Sequence, residues 1–121
     1  MAAPNLVNVG TITAKSVQAA LTTTLTTEIL ANASSSGKVF KVNNILVANI
    51  DGTNSADASV AITKSGGSPI MIASTVAVPA DSTLVVVDKN TSLYLEEGDN
   101  IEAGASAASD LVITINYEEL S

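Results

Sequence analysis

The chain has 121 residues, a length typical of one domain, and carries five Lys, no Arg and twelve acidic residues for a net charge of −7. A strongly acidic surface without Arg repels phosphate groups, so we expect neither nucleic acid nor a membrane surface as a partner. The absence of Cys and His excludes disulfides, the common zinc sites and the usual nucleophilic triads, so we expect no catalytic residues and no cofactor.

The first part of the chain predicts strands. Residues 1–5 are expected to form a flexible N-terminal arm, and residues 5–13 are typical of a short strand. Leu and Thr alternate between residues 20 and 29, which favours a second strand. A short helix over residues 15–20 is the alternative.

The segment 38–50 predicts the longest strand. Phe40 lies on its inner face, and Val42, Leu46, Ala48 and Ile50 follow on the same face if the strand is regular. Asn44 interrupts that face, and apolar residues then occupy both faces. Since one inserted residue exchanges the two faces of a strand, we predict a bulge at Asn43–Asn44.

The rest of the sequence consists of short apolar segments between clusters of turn-forming residues. The predicted turns include "DGTNSAD" (51–57), "SGGSP" (65–69), "PADS" (79–82) and "GDN" (98–100). The last segment, from residue 110 to residue 119, alternates cleanly between apolar and polar positions. Eight or nine short strands at such spacing indicate one antiparallel β-sandwich or barrel spanning residues 1–121.

Four carboxylates, Glu96, Glu97, Asp99 and Glu102, lie within seven positions. Their spacing does not match a calcium loop, which has acids at alternate positions and a closing bidentate Glu. The pattern is instead typical of a hairpin with Gly98-Asp99-Asn100 at its turn. We therefore expect no functional metal at this cluster.

Two predicted strands are apolar on both faces. In an antiparallel sheet one face usually meets water, so such strands require a second cover. That cover is either a neighbouring subunit, which we favour, or the opposite layer of a closed barrel. The candidate subunit-interface residues are Leu84, Val85, Val86, Val87, Ile45 and Val47.

Residues 37–121 resemble small virion structural proteins of tailed bacteriophages, notably capsid decoration proteins of marine and cyanobacterial phages. The resemblance rests on the order and spacing of "NILVANIDGT" (44–53), "VPADSTL" (78–84), "YLEEGD" (94–99) and "YEELS" (117–121). It implies a β-sandwich, commonly trimeric, that attaches to the particle and performs no catalysis.

We therefore expect an all-β, antiparallel, jelly-roll-like sandwich of about eight strands. The expected protein is a homotrimer that binds and stabilises the major capsid protein shell on the outer surface of the virion. Free chain ends can order onto a lattice, so the candidate capsid contacts are Ala2, Ala3, Pro4, Asn5, Tyr117 and Leu120. The alternatives are a tail, baseplate or fibre component, and a carbohydrate-binding module that uses the Glu96–Glu102 hairpin with calcium.

Overall fold

The computed structural model describes residues 8–121, which form two antiparallel sheets packed face to face. A short 3-10 helix, Lys89–Thr91, separates the sixth and seventh strands, and no helix in the described part of the chain is long and apolar enough to span a membrane. The strands are β1 (Ile12–Ala20), β2 (Thr27–Ala31), β3 (Val39–Asn49), β4 (Ala56–Thr63), β5 (Ile70–Val78), β6 (Thr83–Val87), β7 (Leu93–Leu95), β8 (Asn100–Ala105) and β9 (Leu111–Leu120).

The strand order is that of a jelly roll. Sheet A has the order β1-β9-β3-β6, with β7 also paired to β3, and sheet B has the order β2-β8-β4-β5. Because β6 and β7 pair with successive parts of β3, they share one strand position, and the fold has eight positions. The chain crosses between the sheets at most connections, as in a double Greek key. The predicted antiparallel, jelly-roll-like sandwich is therefore confirmed.

The core lies between the two sheets and is built from alternate residues of each strand. In β9, Leu111, Ile113 and Ile115 are fully buried, whereas Val112 and Thr114 lie half-buried on the outer face. Val and Ile suit such a surface because their branched side chains pack well on a pleated sheet. β9 lies between β1 and β3 in sheet A, and its alternation separates a core-facing side from an outer side.

The predicted bulge in β3 is present. The pairing with β9 skips one residue between Val42 and Asn44, so Asn43 is the inserted residue. Before the bulge, Phe40 and Val42 point into the core; after it, Ile45 and Val47 do. The prediction that Leu46, Ala48 and Ile50 share the inner face with Phe40 is therefore wrong, because the inserted residue turns them outward.

 Leu46 and Ala48 lie half-buried on the outer face of sheet A, and Ile50 is 62% exposed.

The N-terminal elements differ from the prediction. β1 begins at Ile12 and runs to Ala20. Residues 15–20 therefore form a strand and not a helix. Within the described part of the predicted strand over residues 5–13, only Ile12 and Thr13 are in a strand. Residues 21–26 form a loop and not a strand; Leu21 is buried in the core, and the loop then passes over the outer face of sheet B. There the loop approaches Gly104 so closely that a Cβ on this glycine would lie 2.5 Å from the Cα of Leu25. Packing against the sheet thus overrides the Leu-Thr alternation.

Candidate functional site

The prediction of a hairpin at Gly98-Asp99-Asn100 is wrong, because β7 pairs with β3 in sheet A whereas β8 belongs to sheet B, so these residues form a turn between the two sheets. Asp99, in this turn, is buried and serves as a structural anchor. Its carboxylate accepts hydrogen bonds from the backbone N–H of Glu96 (2.8 Å), from the backbone N–H of Ser65 (3.0 Å) and from the Nζ of Lys64. Burial alone raises the pKa of Asp99, but the hydrogen bonds from Lys64, Glu96 and Ser65 outweigh it and hold the pKa below its usual value. Asp99 therefore ties the β7–β8 turn to the β4–β5 hairpin.

The other three carboxylates of the cluster have separate partners. Glu96 accepts from the Nζ of Lys64 at 3.0 Å, and Glu97 accepts from the backbone N–H of Gly37 at 3.1 Å. Glu102 accepts from the hydroxyl of Thr63 at 2.7 Å. No group of three or more acidic side chains in residues 8–121 is arranged to hold a metal ion. That the hairpin binds no functional metal stays a prediction.

Lys64 and Asp99 form an ion pair and not a reactive pair. The hydrogen bond to Asp99, followed by that to Glu96, raises the pKa of Lys64, and the pKa of Asp99 is lowered. The amine is therefore protonated and the carboxylate ionised at neutral pH. A protonated amine has no lone pair with which to attack a carboxyl carbon. The contact therefore holds the two turns together as an ion pair and not through a covalent bond.

Three of the six candidate subunit-interface residues lie in the core of the chain itself. Ile45 and Val47 are fully buried and Val87 is 5% exposed, so their prediction as contact residues is wrong. Ile45 and Val47 face inward because of the bulge at Asn43. Val87 faces inward because of a second bulge, in β6. The β3–β6 pairing shifts register after the Ile45–Val87 pair, which leaves Val86 as an extra residue and turns Val87 inward.

Of the other three candidates, two lie at the margin of the core and one lies outside it. Leu84 and Val86 are half-buried and pack against it, so the structure places them within the sandwich as well. Val85 alone points outward, with 54% of its surface exposed. Its pairing partner on β3 is Leu46, so the two side chains lie together on the outer face of sheet A.

One side of the sandwich is apolar and uncharged. β5 and β6 are the edge strands of the two sheets, they lie against each other, and neither contains a charged residue. We call this side the β5–β6 edge. The opposite side, formed by β1 and β2, carries Lys15 and Glu28. The large apolar side chains exposed on the β5–β6 edge are Ile70, Met71, Ile72, Val76 and Val85.

The candidate capsid contacts near residue 120 are buried. The ring of Tyr117 packs against that of Phe40, with 5.1 Å between the centroids, and Leu120 lies between Ile12 and Val39 in the strand pairing. Tyr117 and Leu120 are only 9% and 6% exposed, so the prediction that they grip a partner is wrong. Tyr117 continues the inward-facing series of β9, which explains its burial.

The remaining candidate contacts, Ala2, Ala3, Pro4 and Asn5, lie outside the described residues, as does the predicted arm over residues 1–5. Near the start of the described residues, the backbone N–H groups of Gly10 and Thr11 both donate to the backbone oxygen of Ser121, at 2.8 and 2.9 Å.

The sequence pattern did not predict the ion pairs of Glu119. Its carboxylate contacts the Nζ of Lys15 at 3.1 Å and that of Lys38 at 3.0 Å. Burial raises the pKa of Glu119, but the hydrogen bonds from Lys38 and Lys15 outweigh this effect and lower it. These contacts connect β1 and the start of β3 to the central strand β9.

A polar depression of about 420 Å³ lies on the outer face of sheet A and was also not predicted. It is lined by residues of β1, β3 and β9, including Ser16, Asn43, Asn116 and Glu118. The one signal in the sequence was the Asn43–Asn44 pair, which predicted the bulge but not a surface site.

Comparison with protein-family models and with curated proteins finds no match to this chain.

Proposed function

We propose that this chain is a phage virion structural protein that decorates the capsid and stabilises the major capsid protein shell from outside. The observation that carries the proposal is a jelly-roll sandwich with one apolar, uncharged side. Jelly rolls recur in viral capsid domains, which is an analogy of fold. The resemblance of residues 37–121 to decoration proteins of tailed phages supports the same role.

Self-association into a homotrimer explains the apolar side. Copies that each carry a net charge of −7 repel one another, and contact is least costly where charge is absent. Burying one large apolar side chain contributes roughly 1.5 to 3 kcal/mol, and the β5–β6 edge exposes several. Around a three-fold axis the β5–β6 edges of three copies can face one another, so that no apolar edge is left in water.

The segment comprising residues 1–5 is proposed to bind the major capsid protein. A chain segment can become ordered on a partner surface, and the other candidate contacts, Tyr117 and Leu120, are buried in the sandwich. The acidic surface supports a protein partner over nucleic acid or an anionic membrane.

The function is tested with empty shells of the phage that encodes this chain, assembled without it. Added protein should sediment with the shells, raise their melting temperature and appear as trimeric density on their outer surface. Deleting residues 2–5 should weaken sedimentation with the shells while the melting temperature of the free protein stays unchanged. Density at the tail tip with none on the shell would contradict the proposal and favour the tail, baseplate or fibre alternative.

The trimer has its own matched test. Ile72→Glu introduces a charge on the β5–β6 edge, and Gln18→Glu introduces the same charge on the exposed side of β1. Light scattering should give about three times 12.2 kDa for the wild type and for Gln18→Glu, but a monomer for Ile72→Glu. A wild-type monomer at micromolar concentration would contradict the trimer.

A further inference from the structure

The polar depression on the outer face of sheet A is shaped by the bulge in β3. The inserted residue places Asn43 and Asn44 together on the outer face, where a regular strand would turn one of them inward. Asn116 lies opposite Asn44 on β9, and Glu118 lies two residues further along. Three amides and a carboxylate are thereby gathered at the middle of a sheet.

The side chains of this group hold one another and still present polar atoms to solvent. The Nδ2 of Asn116 donates to the Oδ1 of Asn44 at 2.7 Å, and the Nδ2 of Asn43 donates to Glu118 at 3.2 Å. These bonds use one polar atom of each side chain. Among the described residues, the second polar atom of each amide makes no further hydrogen bond, and neither does the hydroxyl of Ser16.

The electrostatics favour a neutral ligand. The amine of Lys15 at the rim is engaged by Glu119, and Lys41 lies opposite Glu118 in the strand pairing, so both signs of charge lie around the depression. An anion would in addition be repelled by the net charge of −7. A ligand with only apolar groups would leave the amides and the carboxylate without partners.

A saccharide has the complementary chemistry. Each hydroxyl group both donates and accepts, as do amide side chains, and adjacent hydroxyls can donate together to one carboxylate such as Glu118. The depression has a volume of about 420 Å³ and is open to solvent, so a sugar unit would contact it with one face.

We propose that this depression binds a neutral saccharide unit through Asn43, Asn116 and Glu118. The site differs from the Glu96–Glu102 hairpin, requires no calcium, and is independent of whether the chain decorates a capsid. For one monosaccharide of about 12 non-hydrogen atoms in an open site, the dissociation constant is on the order of millimolar. Several copies on one particle would bind a glycan-coated surface far more tightly than one copy does.

The test is an NMR titration of the full-length protein labelled with ¹⁵N, using the methyl glycosides of glucose, galactose and mannose as probes. At least one should shift the side-chain amide signals of Asn43 and Asn116 in a saturable way and leave that of the exposed Asn90 unchanged. Glu118→Gln keeps the size of the side chain and should weaken binding about tenfold, because a carboxylate accepts stronger hydrogen bonds than an amide does. Asn90→Ala, which removes an amide elsewhere, should have no effect.

Three results would overturn the proposal. One is the absence of saturable shifts with all three glycosides at concentrations up to about 100 mM, well above the expected constant. Another is the same set of shifts with glycerol or with inorganic phosphate, which would indicate unspecific polyol or anion binding. The third is a change in oligomeric mass for Glu118→Gln, which would make the depression a contact between copies. Melting temperatures of the variants show that each is folded.

Discussion

The buried carboxylate of Asp99 provides a sharp test of how the β7–β8 turn and the β4–β5 hairpin are held together. Asp99→Asn keeps the shape of the side chain but replaces one accepting oxygen with a donating NH₂ group. The carboxylate accepts from three donors, of which two are the backbone N–H groups of Ser65 and Glu96. Losing the ion pair with Lys64 and leaving a buried donor without an acceptor should together lower the free energy of unfolding by about 2 to 4 kcal/mol.

The matched control is Glu96→Gln. Glu96 contacts the same Nζ of Lys64, at 3.0 Å, but its side chain is 71% exposed. Exposed ion pairs contribute about 0 to 1 kcal/mol, so this variant should lose less than about 1 kcal/mol. Urea unfolding followed by circular dichroism measures both values. Equal losses for the two variants would refute the argument that burial distinguishes the two carboxylates.

The dependence on pH follows from the same hydrogen bonds. The pKa of Asp99 is lowered in the folded state, so its contribution is present above the unfolded value of about 3.9 and is lost as the pH falls through the lower, folded value. Wild-type stability should therefore fall as the medium is acidified below about pH 5, and Asp99→Asn should fall less steeply. Glu119, whose pKa is also lowered, adds to the slope of both proteins.

The remaining predictions concern Phe40 in the core, Gly104 beneath the 21–26 loop, and the acidic residues between positions 96 and 102. Phe40→Ala should lower the free energy of unfolding by about 3 to 5 kcal/mol in urea, since the ring is buried against Tyr117; a loss below about 1 kcal/mol would place the ring at the surface. Gly104→Ala should cost about 1 to 3 kcal/mol because its Cβ would meet the 21–26 loop, whereas Gly10→Ala, whose Cβ would lie 3.6 Å from its nearest neighbour, should cost much less. Melting temperatures in EDTA and in millimolar calcium should agree, and a rise of several degrees with calcium would indicate a metal site that the geometry does not reveal.

The sequence predicts much of this architecture where local patterns and packing agree. The alternation of residues 111–117 matches the inward and outward faces of β9, and the interruption at Asn44 predicted the bulge. The 21–26 loop was missed because its Leu-Thr alternation imitates a strand. Its conformation depends on Gly104, about 80 residues away, and local sequence carries no information about that contact.

The candidate contact residues were harder to predict than the fold. Ile45 and Val47 were assigned to a subunit interface because both faces of the segment are apolar, yet the bulge alone decides which face is inside. Likewise, no pattern links Lys64 to Asp99, because the topology of sheet B brings the two turns together. Residues that are distant in sequence meet only when the order of the strands is known.

The positions of the last two strands have a consequence for the order of folding. β8 is an inner strand of sheet B and β9 is an inner strand of sheet A, and within residues 8–121 β2 pairs only with β8 and β1 only with β9. On the ribosome, which makes the chain from its N-terminus, β1 and β2 wait unpaired until almost the whole domain has been synthesised. Pairing between strands that are so distant in sequence makes folding slow. Until it is complete, the apolar segments can associate with other nascent chains. High local synthesis rates should therefore reduce the yield of folded protein more than they would for a domain built from sequential hairpins.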